Sequence, residues 1–375
     1  MVAERIVVRG VNWLGDAVMS TPALQRLREA KPEAHITLLT PAKLAGLWQG
    51  HPALDDVMPF AGSDGVFLTA RRLRRGDFAT ALVLPNSPRS ALEVFLAGIP
   101  ERIGCERPWR NWFLTRRIAP PPDAVMMSKR TVREIRRLIA SPGPPFLVSA
   151  TSHHLYQYLH LVAALGAKPE PLAPHIAVTP NESQAIKERF SFSRTASGQP
   201  FLFGLNAGAE YGSAKRWPRA RFIAAAKALQ KQMRCHWWIL GGLPERESGA
   251  AIAAEIQAAN PGGVEKVQSL AGSTSERELC AALKACDLLL TNDTGPMHLA
   301  AAVGTPVVAL FGSSSPELTA PGLPGDGKHI LLRSRVPCAP CFRRACPIDF
   351  RCMNNLSVEQ VVEAVTSLAI RANNL

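Results

Sequence analysis

Apolar and polar positions along the chain fall into two successive series of short apolar runs separated by amphipathic stretches. The first series opens with a strand, Arg5–Arg9, followed by a polar, glycine-bearing loop from Gly10 to Asp16. A helix is predicted from there through Ala30, with Val18, Leu24 and Leu27 as core candidates. His35–Thr40 and Ala81–Leu84 read as further strands, and the alternation predicts parallel βαβ units. Between Pro100 and Arg117 the chain turns aromatic and arginine-rich, and Pro120, Pro121 and Pro122 then break it. The next segment is a basic helix, with Val132, Ile135 and Ile139 on one face and Arg130, Arg133 and Arg137 on another.

Residues 165–200 are rich in Pro, Ser and Gly around a short helix and hold the expected domain boundary. A second series follows: strands at Phe201–Leu205, His236–Leu240, Leu288–Asn292 and Pro306–Phe311, with helices at Arg219–Gln232, Glu245–Ala259 and Pro296–Val303. The expected fold is therefore α/β: two Rossmann-like doubly wound domains, residues 1–175 and 176–375, facing across a cleft. Such sheets take ligands at the carboxyl ends of their strands. A length of 375 residues suits two domains.

The formal net charge of +13 is uneven, with ten Lys/Arg against four Asp/Glu in residues 101–140. Such a stretch suits an anionic partner or a plain solvated face, and charge alone does not choose. No apolar run near the N-terminus is long enough for a signal peptide, and Gly295–Gly312 is interrupted by Pro296, His298, Gly304 and Pro306. The expectation is a cytoplasmic protein with reduced thiols.

Three loops carry candidate chemistry. Gly10–Asp16 is neither a dinucleotide fingerprint nor a P-loop; it places the Asp16 carboxylate at a helix start, where a plain N-cap is the simpler role. Asn206–Pro218 is small-residue-rich and brings Lys215 and Arg216 to the end of a strand, as a phosphate site or an ordinary turn. Thr291–His298 runs from a buried strand into a helix start at Thr294 and Gly295, a favourable position for a pyrophosphate. A lone His298 is, by itself, better explained by core packing.

With Leu84–Ser87, Ser90–Leu92 and Ala97–Pro100, these motifs make the chain resemble the lipopolysaccharide heptosyltransferases of glycosyltransferase family 9, most of all their heptosyltransferase II subgroup. The resemblance runs from residue 5 to about residue 320. It implies a GT-B fold with the acceptor on the N-terminal domain and an ADP-heptose donor on the C-terminal one. It further implies inverting transfer of L-glycero-D-manno-heptose to the inner-core heptose of lipid A-core oligosaccharide, with no cofactor or catalytic metal. By the same resemblance Asp16 matches the general base and Lys215 the lysine on the donor phosphates. Asp293, Thr294, Gly295 and His298 match the donor-binding turn, and Glu247 the acid on the adenosine ribose, with Glu245 close enough to compete. Asn86, Ser87, Arg133 and Arg137 are the expected acceptor contacts. Peripheral contact with the inner face of the inner membrane is expected for such an acceptor.

Cys338, Cys341, Cys346 and Cys352 fall within fifteen residues and could hold a structural zinc, an iron–sulfur cluster or nothing. Two other functions stay open: a family 9 transferase with another acceptor, either Kdo-lipid A or a protein, and a nucleic-acid-binding protein. The second suits the basic pI of 9.7 but not two doubly wound domains with phosphate loops, so no nucleic-acid partner is expected.

Overall fold

The computed structural model describes residues 3–144, 146–192, 200–259 and 265–373. Among these, two six-stranded sheets form, every strand pairing parallel to its neighbours. The first comprises β1 (Arg5–Arg9), β2 (His35–Pro41), β3 (Asp56–Phe60), β4 (Thr80–Val83), β5 (Glu101–Cys105) and β6 (Arg116–Ile118), in the order β3-β2-β1-β4-β5-β6. The second comprises β7 (Phe201–Asn206), β8 (Cys235–Ile239), β9 (Val267–Ser269), β10 (Leu288–Asn292), β11 (Val307–Phe311) and β12 (Ile330–Arg333), in the order β12-β11-β10-β7-β8-β9. The central strands are buried on both faces, which is why they read as unbroken apolar runs.

Strand order reverses between β1 and β4 in the first sheet and between β7 and β10 in the second. At such a switch point the loops leaving adjacent strands diverge and open a crevice beyond their carboxyl ends. The segments that follow β1 and β4 carry Asp16 and Asn86; those that follow β7 and β10 carry Lys215 and Asp293.

The chain divides into two compact units: residues 1–124 with 151–177, and residues 125–150 with 178–375. The main division thus falls at 177/178, while the segment 125–150 joins the second unit. That segment was expected to belong to the N-terminal domain. The cause is local: Ile135 is buried in the second core, Arg130 N donates to Cys341 O at 3.0 Å, and Arg343 Nη1 donates to Arg130 O at 2.9 Å. The basic stretch 101–140 is therefore split between the two units. Of the expected linker, residues 193–199 lie outside those described.

The helix expected as one piece through Ala30 is two, Leu14–Met19 and Thr21–Ala30. Pro22, lacking an N–H, sits where a helix begins and has no amide to continue the earlier ladder. No helix among the described residues is long and apolar enough to cross a membrane.

Candidate active site

In the first unit the switch point is built on a buried ion pair. Arg9, at the end of β1, donates from Nε to Glu93 Oε2 at 2.9 Å, with both side chains almost wholly buried. Arg9 Nη1 also donates to Gly10 O at 2.5 Å and Asn12 Oδ1 at 3.1 Å, so the pair fixes the start of the loop that leads to Asp16. Burial pulls the Arg9 pKa down, and Glu93 opposes that shift.

Asp16 lies in the first turn of Leu14–Met19, whose N-cap is Trp13 without a side-chain cap bond. Asp16 therefore does not cap this helix. Its Oδ1 accepts from Tyr158 Oη at 3.1 Å, and His154 Nδ1 lies 3.8 Å away. Both partners come from the helix His154–Ala163, which sequence reading did not single out. Burial first, and the neighbouring Asp16 charge second, push the Tyr158 phenol well above its ordinary pKa, so it stays a hydrogen-bond donor. Asp16, Asn12, Asn86, Ser87, Arg107 and Tyr158 are among the residues lining one cavity of about 300 Å³. Ser87 also caps the helix Pro88–Leu96 through Ser90 N at 3.2 Å, and Asn86 Oδ1 accepts from Arg110 Nη1 at 3.1 Å. A carboxylate held by a neutral donor and open to a cavity of this size can take a proton from a bound hydroxyl.

In the second unit Lys215 Nζ donates to Asp293 Oδ2 at 2.6 Å, and Ser314 Oγ donates to the same oxygen. The Lys215 ammonium also lies 5.1 Å from the Tyr211 ring centroid. The carbonyls of Ala207 and Gly208 accept from Asn292 Nδ2 at 2.9 and 3.2 Å, and Asn292 Oδ1 accepts from Trp217 N at 2.9 Å. The Lys215 loop and the Asp293 turn are thereby one hydrogen-bonded body. Thr294 is the N-cap of the helix Gly295–Ala302, one residue earlier than expected, and His298 is buried within it. Glu247 is exposed in the first turn of Arg246–Gln257. Glu245 instead closes the preceding turn, accepting from Gly242 N at 3.0 Å, and packs beside Gly208. Arg133 and Arg137 are exposed on Val132–Ala140, in this unit and not with Asn86 and Ser87.

The four clustered cysteines line a single cavity of about 10 Å³, together with Ala214 and Ile135. Their segment braces the lysine loop: Ala214 N donates to Arg344 O at 2.9 Å and Tyr211 Oη to Phe342 O at 2.7 Å. A Cβ at Gly212, whose φ is 155°, would stand 2.3 Å from Arg344 O, so the close approach requires glycine. Burial, and then the neighbouring thiols, push Cys352 up to about 12; burial raises Cys338 and Cys341 as well. Among the described residues no three His, Cys, Asp or Glu side chains are grouped so as to hold a metal ion.

Tyr158, His154, Ser314, Arg9 and Arg110 were all missed in the sequence. All but Arg9 reach their site from another segment, and only the Tyr-bearing apolar helix His154–Ala163 left a signal, in its helical periodicity.

The model of glycosyltransferase family 9 (heptosyltransferase) matches residues 66–350. The chain belongs to glycosyltransferase family 9. This family 9 chain is 31% identical to lipopolysaccharide heptosyltransferase 2 of Salmonella typhimurium over 324 residues, covering 84% of this chain and 85% of that one. Its counterpart in Escherichia coli is 31% identical over 330 residues, with the same coverage of both chains. Among solved structures, that of E. coli ADP-heptose LPS heptosyltransferase II superposes with a TM-score of 0.74 at 27% identity, covering 99% of each chain. The expected fold class, two doubly wound α/β sheets of the GT-B type, holds for this glycosyltransferase.

Proposed function

We propose that this family 9 glycosyltransferase moves heptose from ADP-heptose onto the inner-core heptose of a lipopolysaccharide acceptor, by an inverting displacement that needs no metal. Two observations support this reading, one in each unit: Asp16 lines a cavity at the switch point of the first, and Lys215 lies beside the Asp293–Gly295 helix start at that of the second. The named relatives at 31% identity supply the sugar and the acceptor.

In this reading the first unit takes the acceptor and the second the donor. Asp16 accepts the proton of the attacking hydroxyl, and Tyr158 steadies the carboxylate in the orientation that faces the cavity. Asn86 and Ser87 orient the acceptor sugar; Arg133 and Arg137, expected as acceptor contacts, lie in the second unit and are given no part in it. Leaving-group charge develops on the diphosphate, where Lys215 and the amides at Thr294 and Gly295 supply positive potential. Asp293 holds Lys215 in place, so the donor phosphate draws the ammonium from an already ordered position. His298 backs the same turn, and Glu247 contacts the ribose. The cysteine segment serves the lysine loop from behind, and we assign its four thiols, which line one small cavity, a structural metal, zinc on their number and type. Because that segment braces Ala214, through Arg344 O, and not the reacting atoms, a metal held there would supply rigidity and no chemistry.

The test is donor selection. Purified protein given a lipopolysaccharide inner core is expected to release ADP from ADP-heptose and to leave ADP-glucose and the UDP-hexoses unused. Equal turnover of a UDP-hexose, or none of ADP-heptose, contradicts the reading.

A further inference from the structure

In the first unit the loop joining β5 to β6 carries two indoles into solvent, Trp109 at 84% exposure and Trp112 at 86%. Trp48, Trp217, Trp237 and Trp238 are each at 2% or less, and Trp13 is at 41%. Indoles left in water are a large uncompensated apolar area. Trp109 is moreover held at φ 64°, a left-handed conformation that bulky side chains rarely adopt.

The loop is anchored. Arg107 N donates to Asn111 Oδ1 at 2.9 Å, and Phe113 N donates to Arg110 O at 3.0 Å. Arg110, between the two indoles, is fully buried; Nη1 is bonded to Asn86, while Nε and Nη2 have no hydrogen-bond partner among the described residues. A Cβ at Gly104 would stand 2.8 Å from Arg110 Nη2, so the buried guanidinium packs directly over this glycine. A costly interior anchor thus holds two apolar side chains outward.

The surroundings are cationic. Residues 101–118 hold five arginines against Glu101 and Glu106. Glu101 pairs with Arg116 at 3.8 Å, and Glu106 accepts from Asn111 Nδ2 at 3.3 Å. Exposed Phe95 lies 5.5 Å from Phe113, with the Arg102 guanidinium 5.4 Å from its ring centroid. Indoles beside arginines are the composition of segments that sit at headgroup depth on an anionic bilayer. The same loop walls the Asp16 cavity, through Arg107 directly and through Asn86 held by Arg110.

We propose that the Trp109–Trp112 loop is a membrane-docking element, seating both indoles among the headgroups of an anionic bilayer and bringing the Asp16 cavity to a lipid-borne acceptor. The last clause rests on the acceptor reading above; the docking does not.

The test is sedimentation of the full chain with vesicles of phosphatidylethanolamine and phosphatidylglycerol, against vesicles of phosphatidylcholine alone. The wild type should partition onto the anionic vesicles, less so as salt rises past ~0.1 M. Trp109→Ala with Trp112→Ala should lower that partition about tenfold, as partial burial of two indoles implies. The same variant should melt normally and keep its turnover on a lipid-free acceptor. Should it melt low, the two single variants carry the test. Wild-type protein that stays in the supernatant, or partitions equally onto phosphatidylcholine, overturns the proposal. So does a variant that sediments like the wild type. Equal loss of turnover on the lipid-free acceptor would instead put the indoles on the saccharide. Sedimentation needs no transfer assay, so its failure is distinct from failure of the heptosyltransferase reading.

Discussion

Replacing Asp16 by Asn separates chemistry from folding at the first switch point. The two side chains have nearly the same shape, and an amide oxygen can still accept the Tyr158 bond now measured at 3.1 Å. Trp13 and not Asp16 occupies the N-cap, so no cap is lost. What goes is the negative charge in the helix's first turn, worth about 0.3–1 kcal/mol against the helix dipole. The melting temperature should therefore drop by only a few degrees, since about 1 kcal/mol corresponds to roughly 2–4 °C in proteins of 150–250 residues and less in larger ones. An amide cannot take a proton from the acceptor hydroxyl, and loss of a general base lowers the rate by about 10²–10⁴. ADP-heptose affinity should hold, because the donor residues belong to the second unit. The assay is a thermal melt, a donor titration and a single-turnover transfer measurement on this one variant. A protein that melts and binds donor normally, yet transfers heptose near the wild-type rate, would refute the base assignment and send the search elsewhere along the cavity.

Lys215→Ala removes the cation on the diphosphate and strands a buried Asp293, leaving it Ser314 as a partner. Donor affinity should fall about 10- to 100-fold, the loss of one charge-assisted contact of ~1.5–3 kcal/mol, and the melt should fall with it; wild-type donor binding would contradict the role. Glu93→Ala leaves the Arg9 guanidinium buried without its carboxylate, which should destabilise the fold by about 3–5 kcal/mol in a urea titration. A change under 1 kcal/mol would mean that water or a rearranged loop satisfies Arg9. Elemental analysis of anaerobically purified protein should find about one zinc per chain, and Cys341→Ala should lose it together with stability and some donor affinity. Metal-free protein whose Cys341→Ala variant melts normally would leave the thiols as packing groups.

The parts of this fold legible in the sequence are those where local pattern and tertiary environment coincide. β1, β10 and β11 are buried on both faces, so their apolar runs announce them. β6 and β9 are three residues each, RRI and VQS, with no buried residue, and no apolar run betrays them. The three loops carrying Asp16, Lys215 and Asp293 were recognisable because glycine, small residues and charge gather where strands end. What those side chains touch was not. The Tyr158 bond to Asp16 spans 142 positions and the Arg9 pair with Glu93 spans 84, and nothing local at either end specifies the other. The capping role open to Asp16 failed on a shift of register, since the helix starts three residues earlier than that role requires. The basic helix at 132–140 was read with the correct buried face but attached to the wrong unit, because its anchor, the cysteine segment, lies some 200 residues further on, at Cys341.

The central claim concerns the acceptor, and acceptor selection tests it most directly. ADP-heptose is supplied with two lipid A-core acceptors, one ending at Kdo and one carrying the first heptose, and the products are read by mass spectrometry. The account predicts a single added heptose on the second acceptor and none on the first. Addition to the Kdo-terminated acceptor, or to neither while ADP-heptose is hydrolysed, would contradict it.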